Sequence, residues 1–158
     1  MTPSYVWLLA FLIGLFTGLR SLTPTAVTAW GAHAGWLKLR TPALSWLGTL
    51  PAVVIFTVLA LFELITDKLP RTPARTAPPG LVARIMLGAF AGACLTVAND
   101  QGFFLGGVFG IVGALVGTFG GYQVRTRLVK ALRVPDYVIA VLEDLVTIGG
   151  SLWVVSRF

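Results

Sequence analysis

Residues 103–122 read FFLGGVFGIVGALVGTFGGY, a stretch without a charged residue. About 20 mostly apolar residues in a helix are enough to cross the hydrocarbon core of a bilayer, so this stretch predicts a membrane-spanning helix. Its glycines recur in steps of four and three and therefore share one helical face. They are Gly106, Gly110, Gly113, Gly117 and Gly120 or Gly121. Such a face favours close helix packing, at the centre of a bundle or at a dimer seam, and the alternative is that it lines a pore.

The rest of the chain has the same apolar character. Of 158 residues, 56% are hydrophobic and 11% are charged, and the mean hydropathy is +0.87. These values indicate an integral membrane protein in contact with membrane lipids, and they leave no room for a soluble catalytic domain, so we do not expect an enzyme. The formal charge of +6 comes mainly from Lys and Arg in short loops, which act as topology signals and bind anionic headgroups. Nucleic acid is therefore not an expected partner.

The predicted fold is all-α, a polytopic transmembrane helical bundle of about five spans in a single integral membrane domain over residues 1–158. Proline disfavours helix in the residue before it, so Pro24 predicts a break in the first span. Thr23 is then the expected N-cap, with Pro24 at the first helical position, of a short amphipathic or re-entrant stretch reaching Gly31 or Gly35. The predicted spans are 5–22, 46–66, 81–98, 103–122 and 137–155.

The charges in the loops predict an orientation. With five spans, eight Lys and Arg residues fall on one side of the membrane and three on the other. The positive-inside rule places the side with eight in the cytoplasm, together with the N-terminus, and puts the C-terminus outside. The eight are Lys68, Arg71, Arg75, Arg84, Arg125, Arg127, Lys130 and Arg133, and the three are Lys38, Arg40 and Arg157.

Two acidic pairs interrupt apolar stretches. Glu63 and Asp67 are four residues apart on one helical face of the second span, and Glu143 and Asp144 lie in the fifth. An intramembrane charge costs roughly 2.5–3.5 kcal/mol by insertion scales, so such residues usually face the protein interior, a partner charge or water. We expect these carboxylates to converge on the inner side near three basic residues, Lys68, Arg84 and Arg125.

Such a cluster would bind a cation or pass a proton. The alternative is that the basic loops neutralise the four acids, which then only hold helices together.

On the outer side, Arg20 is expected near the break at Pro24, beside Ser21 and Thr23. A helix that starts there would offer free amides and the positive end of its dipole, and arginine would add a planar charged fork. Arg20 and Thr23 are therefore candidate residues for binding an anion. The alternatives are that Arg20 snorkels to the interface or pairs with Asp100.

Other chemistries find little support in the sequence. No histidine or cysteine stands at metal-ligand spacing, Cys94 has no partner for an intramolecular disulfide, and hydrolase and phosphate-loop motifs do not occur. We therefore expect neither a metal nor a cofactor.

Two short motifs resemble a known family. Gly18-Leu19-Arg20, followed by threonine and proline, and Glu63-x-x-x-Asp67-Lys68-x-Pro70 are similar to DUF4126, a domain-of-unknown-function family of small bacterial multi-pass membrane proteins. The resemblance covers most of the chain. It implies a protein of the bacterial inner membrane and no established activity.

The leading hypothesis is a transporter or channel-like protein for a small ion or small solute, and a homodimer or other homo-oligomer formed through glycine-rich helix faces. Its expected binding residues are Arg20, Thr23, Glu63, Asp67, Lys68, Glu143 and Asp144. The competing hypothesis is a non-transport membrane protein, an assembly or lipid-interacting factor whose charges only orient its helices.

Overall fold

The computed structural model describes residues 1–67 and 76–158, which are mostly helical and contain no strand. A 3₁₀ turn over Trp46–Gly48 lies between the third and fourth helices. The α-helices are α1 Pro3–Leu19, α2 Thr23–His33, α3 Pro42–Ser45, α4 Leu50–Thr66, α5 Pro78–Ala98, α6 Phe103–Leu132 and α7 Asp136–Val155.

Three helices, α5, α6 and α7, are long and apolar enough to cross a membrane. A fourth candidate span consists of α3 and its 3₁₀ turn together with α4, which are bent by 66° relative to each other. With 17 residues, α1 is shorter, and the predicted count of about five spans is not confirmed. The described helices support a multi-pass membrane protein with three to four candidate spans.

Prolines mark where most of the helices begin. A proline in the first turn removes an amide that would have no partner there, and its fixed φ suits a helix start. Pro3, Pro24, Pro42 and Pro51 all occupy the first two helical positions of their helices, and Pro78 does so in α5. The predicted break before Pro24 is therefore present, with α2 as a separate helix of 11 residues.

The glycine face of α6 lies at the centre of the bundle. Gly106 and Gly110 face α5, where a side chain at either position would meet the backbone of Gly92 or Gly88. Gly113 and Gly117 face α1, against the backbone of Phe11, Leu15 and Gly18. Because these glycines allow backbones to touch, α6 is held between α1 and α5, and this face is used inside the chain rather than at a dimer seam.

The chain runs back and forth between two ends of the bundle. The Met1 end contains Met1, Trp36, Asn99 and Phe158, which line one cavity. The Arg20 end lies at the other end of α1, about 25 Å away for a helix of this length. Because α2 turns back from Arg20 toward the Met1 end, α1 and α4 both run toward the Arg20 end.

This path corrects two predicted placements. Met1 bonds to Asn99, directly after the end of α5, and so lies at the opposite end from the start of α5 at Pro78, with which it was expected to share a side. Phe158 lies at the same end as Met1, although the termini were expected on opposite sides. The physical reason is the extra reversal made by α2, which the five-span arrangement does not contain.

The packing of α6 makes a stability prediction. In Gly110→Ala the new Cβ would lie 2.8 Å from the carbonyl carbon of Gly88, so α5 and α6 would have to separate. Overpacking of this kind costs roughly 1–3 kcal/mol, and we expect a clearly lower thermal unfolding midpoint in detergent.

The matched control on the same helix is Gly120→Ala, where the new Cβ meets no atom within 4 Å. Alanine is the better helix former, so the midpoint of this control should stay the same or rise. Equal midpoints for the two variants would contradict the described α5–α6 contact.

Candidate functional site

The site is organised by the turn between α1 and α2. Arg20 ends α1 in an extended conformation with φ −137° and ψ 117°, and α2 begins at Thr23. Leu22, and not the predicted Thr23, is the N-cap residue, and no side chain of the cap itself bonds to the first turn. The free amides at this helix start therefore need an acceptor from elsewhere.

Glu63 of α4 is that acceptor. Its Oε1 accepts the backbone N–H of Ser21 at 2.7 Å and also the Ser21 hydroxyl, and its Oε2 accepts the N–H of Leu22 at 2.8 Å. The Glu63 residue is only 7% exposed. A carboxylate is favoured at the positive end of a helix dipole, so α2 and Glu63 stabilise each other. The anion expected at the broken helix is thus supplied by the chain itself.

Arg20 joins two further helices to the same place. It is fully buried, its Nε donates to Oδ1 of Asp144 at 2.6 Å, and its Nη1 donates to Oδ2 of Asp67. Asp67 directly follows α4 and Asp144 belongs to α7. We call Arg20, Ser21, Glu63, Asp67 and Asp144 the Arg20 centre.

The Arg20 centre corrects the predicted separation of charges. Arg20 was expected on the outer side and Glu63 and Asp67 on the inner side, but the structure places all three together. Asp100, the partner considered for Arg20, lies at the Met1 end. The sequence carries a signal for this contact, since a buried arginine in an apolar stretch requires carboxylates close by.

The centre is recessed within the bundle. Asp144 lies eight residues after the first residue of α7, which corresponds to about 12 Å along the helix. On α6, Thr118 donates to the carbonyl oxygen of Gly18 at 3.3 Å, and α6 continues for fourteen further residues, about 21 Å. The hairpin of α6 and α7 therefore extends beyond the centre, and the charges lie deeper than the sequence indicated.

The other predicted residues have different positions. Glu143 turns away from Asp144 and pairs with Arg125 at 3.3 Å, and Arg125 also bonds Asp136. Only three of the four carboxylates therefore converge. Arg84, expected close to them, is 6% exposed and donates from Nη1 to the Gly80 carbonyl oxygen of its own helix. Lys68 lies outside the described residues.

Two buried polar atoms at the centre make no hydrogen bond to the described residues. One is Nη2 of Arg20 and the other is Oγ1 of Thr23, whose residue is 4% exposed. A buried donor without a partner carries a cost of about 1–3 kcal/mol, so these atoms favour binding of water or a small polar ligand. Within residues 1–67 and 76–158, no group of three His, Cys, Asp or Glu residues is placed to hold a metal ion.

These features define a multi-pass α-helical membrane protein with a buried ionic centre. The chain belongs to the family described as Domain of unknown function (DUF4126), whose model matches residues 7–156, so the resemblance seen in the two motifs is confirmed. The match includes the Arg20 centre and the glycine face of α6. No curated protein and no solved structure matches the chain.

The ion pairs of Arg20 make a second prediction. Removing one partner of a buried pair leaves an uncompensated charge and costs about 3–5 kcal/mol, so Arg20→Gln should lower the unfolding midpoint strongly. Adding Asp144→Asn removes one of the stranded charges, and the double variant should recover part of the loss.

The measurement is a double-mutant cycle by thermal unfolding in detergent, with Arg127→Gln as the exposed control. Simple additivity of the two substitutions would show that Arg20 and Asp144 do not interact.

Glu63 makes a third prediction. Glu63→Gln replaces one carboxylate oxygen by an NH₂ group, which would face the N–H of Leu22 or the Ser21 donors. We therefore expect faster amide hydrogen exchange at Ser21 and Leu22, directly before α2, by mass spectrometry, with Glu143→Gln as the control. Unchanged exchange at these two amides in Glu63→Gln would contradict the capping role.

Proposed function

We propose that the protein is a transporter or channel-like protein for a small ion or small solute, rather than an enzyme, and that the Arg20 centre is its coupling site. The observation that carries the proposal is a fully buried arginine bonded to carboxylates from two other parts of the fold. Replacing a buried ion pair by apolar residues is often neutral or stabilising, so such a centre contributes little to stability alone. Intramembrane charges of this kind commonly mark ion pathways and proton relays.

The geometry supports an exchange mechanism. Asp67 and Asp144 both accept from the same guanidinium, so a proton on one of these carboxylates would weaken its pair with Arg20. Nη2 of Arg20 and Oγ1 of Thr23 are then the atoms available to hold a small polar solute or ion. Asp67, Asp144, Arg20 and Thr23 would in this way couple proton and solute binding.

The helix packing supports a moving element. The glycine contacts hold α1, α5 and α6 together tightly, whereas α4 packs mainly against α2 and the 3₁₀ turn. The Glu63 bonds tie α4 to the start of α2, which also packs against α7, and we propose that α4 shifts together with these two helices against the α1–α5–α6 core. Short or broken helices near a binding site are a common feature of transporters.

We propose the bacterial inner membrane as the location, as the family resemblance implies. Among the described residues outside the centre, five cations lie toward the Arg20 end and three toward the Met1 end. The positive-inside rule then puts the Arg20 end in the cytoplasm and the N-terminus outside, the reverse of the side expected from five spans. The five are Arg84, Arg125, Arg127, Lys130 and Arg133, and the three are Lys38, Arg40 and Arg157.

A homodimer or other homo-oligomer is a separate proposal. Because the central glycines of α6 contact α1 and α5, they no longer support it. Gly120 and Gly149 do, since an added Cβ there would meet nothing within 4 Å and a neighbouring copy could approach closely.

The function is tested by proton flux into proteoliposomes. Vesicles containing pyranine and a high K⁺ concentration are treated with valinomycin, so that K⁺ efflux creates an inside-negative potential. We expect faster internal acidification with wild-type protein than in empty vesicles, and a loss of about tenfold or more in Asp67→Asn or Asp144→Asn. The control is Asp136→Asn, whose side chain is 63% exposed and lies outside the centre.

Flux of Na⁺, chloride and phosphate is measured in the same vesicles. If wild-type protein carries none of these ions and no protons, the proposal is wrong for small ions. If flux occurs but Asp67→Asn and Asp144→Asn carry as much as the wild-type protein and the Asp136→Asn control, transport does not use the Arg20 centre.

One observation favours the alternative, a non-transport assembly or lipid-interacting factor. Glu63 already occupies the anion position at the start of α2. In that case the centre only orients helices. Wild-type vesicles would then show no flux, and Asp67→Asn and Asp144→Asn would change only the stability of the protein.

A further inference from the structure

A second polar site lies at the opposite end of the bundle. A cavity of about 230 Å³ opens at the Met1 end, and its lining includes Trp36, Lys38, Arg40, Asn99 and Asp100. Its volume is far above the roughly 10–15 Å³ that a single water requires, and it is somewhat below that of a drug-sized pocket. The space therefore suits a small polar group.

The two cations reach this cavity because of a local pattern. Leu37 and Leu39 are 2% and 8% exposed and belong to the hydrophobic core, whereas Lys38 and Arg40 alternate with them and are exposed. The backbone is held by bonds from the N–H of Leu39 to Leu37 O and from Arg40 to Lys38 O. Anchoring by the two leucines fixes both cations on the cavity side.

The acid on the cavity wall is also held in place. Asp100 has φ 55°, a left-handed conformation that a non-glycine residue adopts at some cost. Its N–H bonds to Val97 O at 3.1 Å, and the next residue, Gln101, bonds to Thr96 O at 2.9 Å. This end of α5 thus fixes Asp100 beside Asn99 at the cavity.

None of the three charges is neutralised by the described residues. Lys38, Arg40 and Asp100 make no salt bridge or side-chain hydrogen bond there, although all three line one cavity. Arg20 and Arg125, by contrast, are both bonded to carboxylates. Met1, whose amino group donates to Asn99, and Phe158 also line this space. Among the side chains that line it, two cations and one acid without an ion pair match a ligand that carries both signs of charge.

We propose that this cavity binds a phosphate–ammonium zwitterion, the phosphoethanolamine group. The fork of Arg40 and the ammonium of Lys38 suit the phosphate oxygens, while Asp100 accepts from the ammonium and Trp36 offers an aromatic face to it. The Met1 end lies about one helix length from the Arg20 end. If the bundle spans a bilayer, lipid headgroups are therefore expected at the Met1 end, beside the cavity. The same chemistry occurs in a phosphatidylethanolamine headgroup and in free phosphoethanolamine compounds.

The test measures the unfolding midpoint of the full chain in detergent with added lipid. Phosphatidylethanolamine at about 100 times its Kd should raise the wild-type midpoint by roughly 5–10 °C, and phosphatidylglycerol should raise it much less. Lys38→Gln with Arg40→Gln should abolish the difference, and so should Asp100→Asn alone. The matched control is Arg157→Gln at the same end, because Arg157 stacks on Trp153 and does not line the cavity.

Isothermal titration with soluble glycerophosphoethanolamine distinguishes the two sources. Binding that is lost in Asp100→Asn shows that the headgroup suffices, and stabilisation by the lipid alone shows that the acyl chains are also required; either result supports the site. Equal stabilisation by both lipids, or a phosphatidylethanolamine effect that persists in both cavity variants, would overturn it. If Asp100→Asn does not fold, the Lys38 and Arg40 variant and the titration still decide the outcome.

Discussion

The bonds from the amides of Ser21 and Leu22 to the carboxylate of Glu63 are the interaction on which the rest of the arrangement depends. In an apolar environment, amides without an acceptor and a carboxylate without donors each carry a cost in free energy. Bonding them to each other removes both costs. The bonds fix the end of α4 beside the start of α2. Because α2 must then turn back, α1 and α4 run in the same direction, and Arg20 meets Asp67 at the level of Asp144.

The glycine core determines where this turn lies. Gly14 and Gly18 of α1 contact Gly110 and Ala114 of α6 through backbone atoms, which leaves little freedom for α1 to slide. Arg20 follows Gly18 by only two residues, so its height in the bundle is set by that contact. Close packing of helix backbones thus positions this charged group. In a soluble protein the hydrophobic effect would help to hold the helices in place, but it is weak between helices in lipid.

Much of the fold follows from local sequence rules, and the part that fails is non-local. Apolar length, glycine spacing and Pro24 predicted the helical membrane class, the packing face of α6 and the break after α1, since each depends on residues close together in sequence. The reversal by α2 could not be predicted, because its cap comes from Glu63, more than forty residues away. A helix starting at Pro24 was predicted, but its return of the chain to the Met1 end was not, and Arg20 and Glu63 were therefore expected on opposite sides. The extension of α6 to Leu132 was also missed, because its last turns are polar.

The two polar regions differ in how their charges are satisfied, and this difference separates their roles. In the Arg20 centre the guanidinium is fully buried and bonded to two carboxylates, so any change there requires breaking strong interactions in a low dielectric. At the Met1 end, Lys38, Arg40 and Asp100 are exposed. They form no ion pair with one another or with the other described residues. A ligand in the proposed cavity site would break no ion pair, whereas a ligand that replaced a carboxylate in the Arg20 centre would break a buried one. In these two proposals, binding at the Met1 end depends on fit, and binding at the Arg20 centre is coupled to conformation.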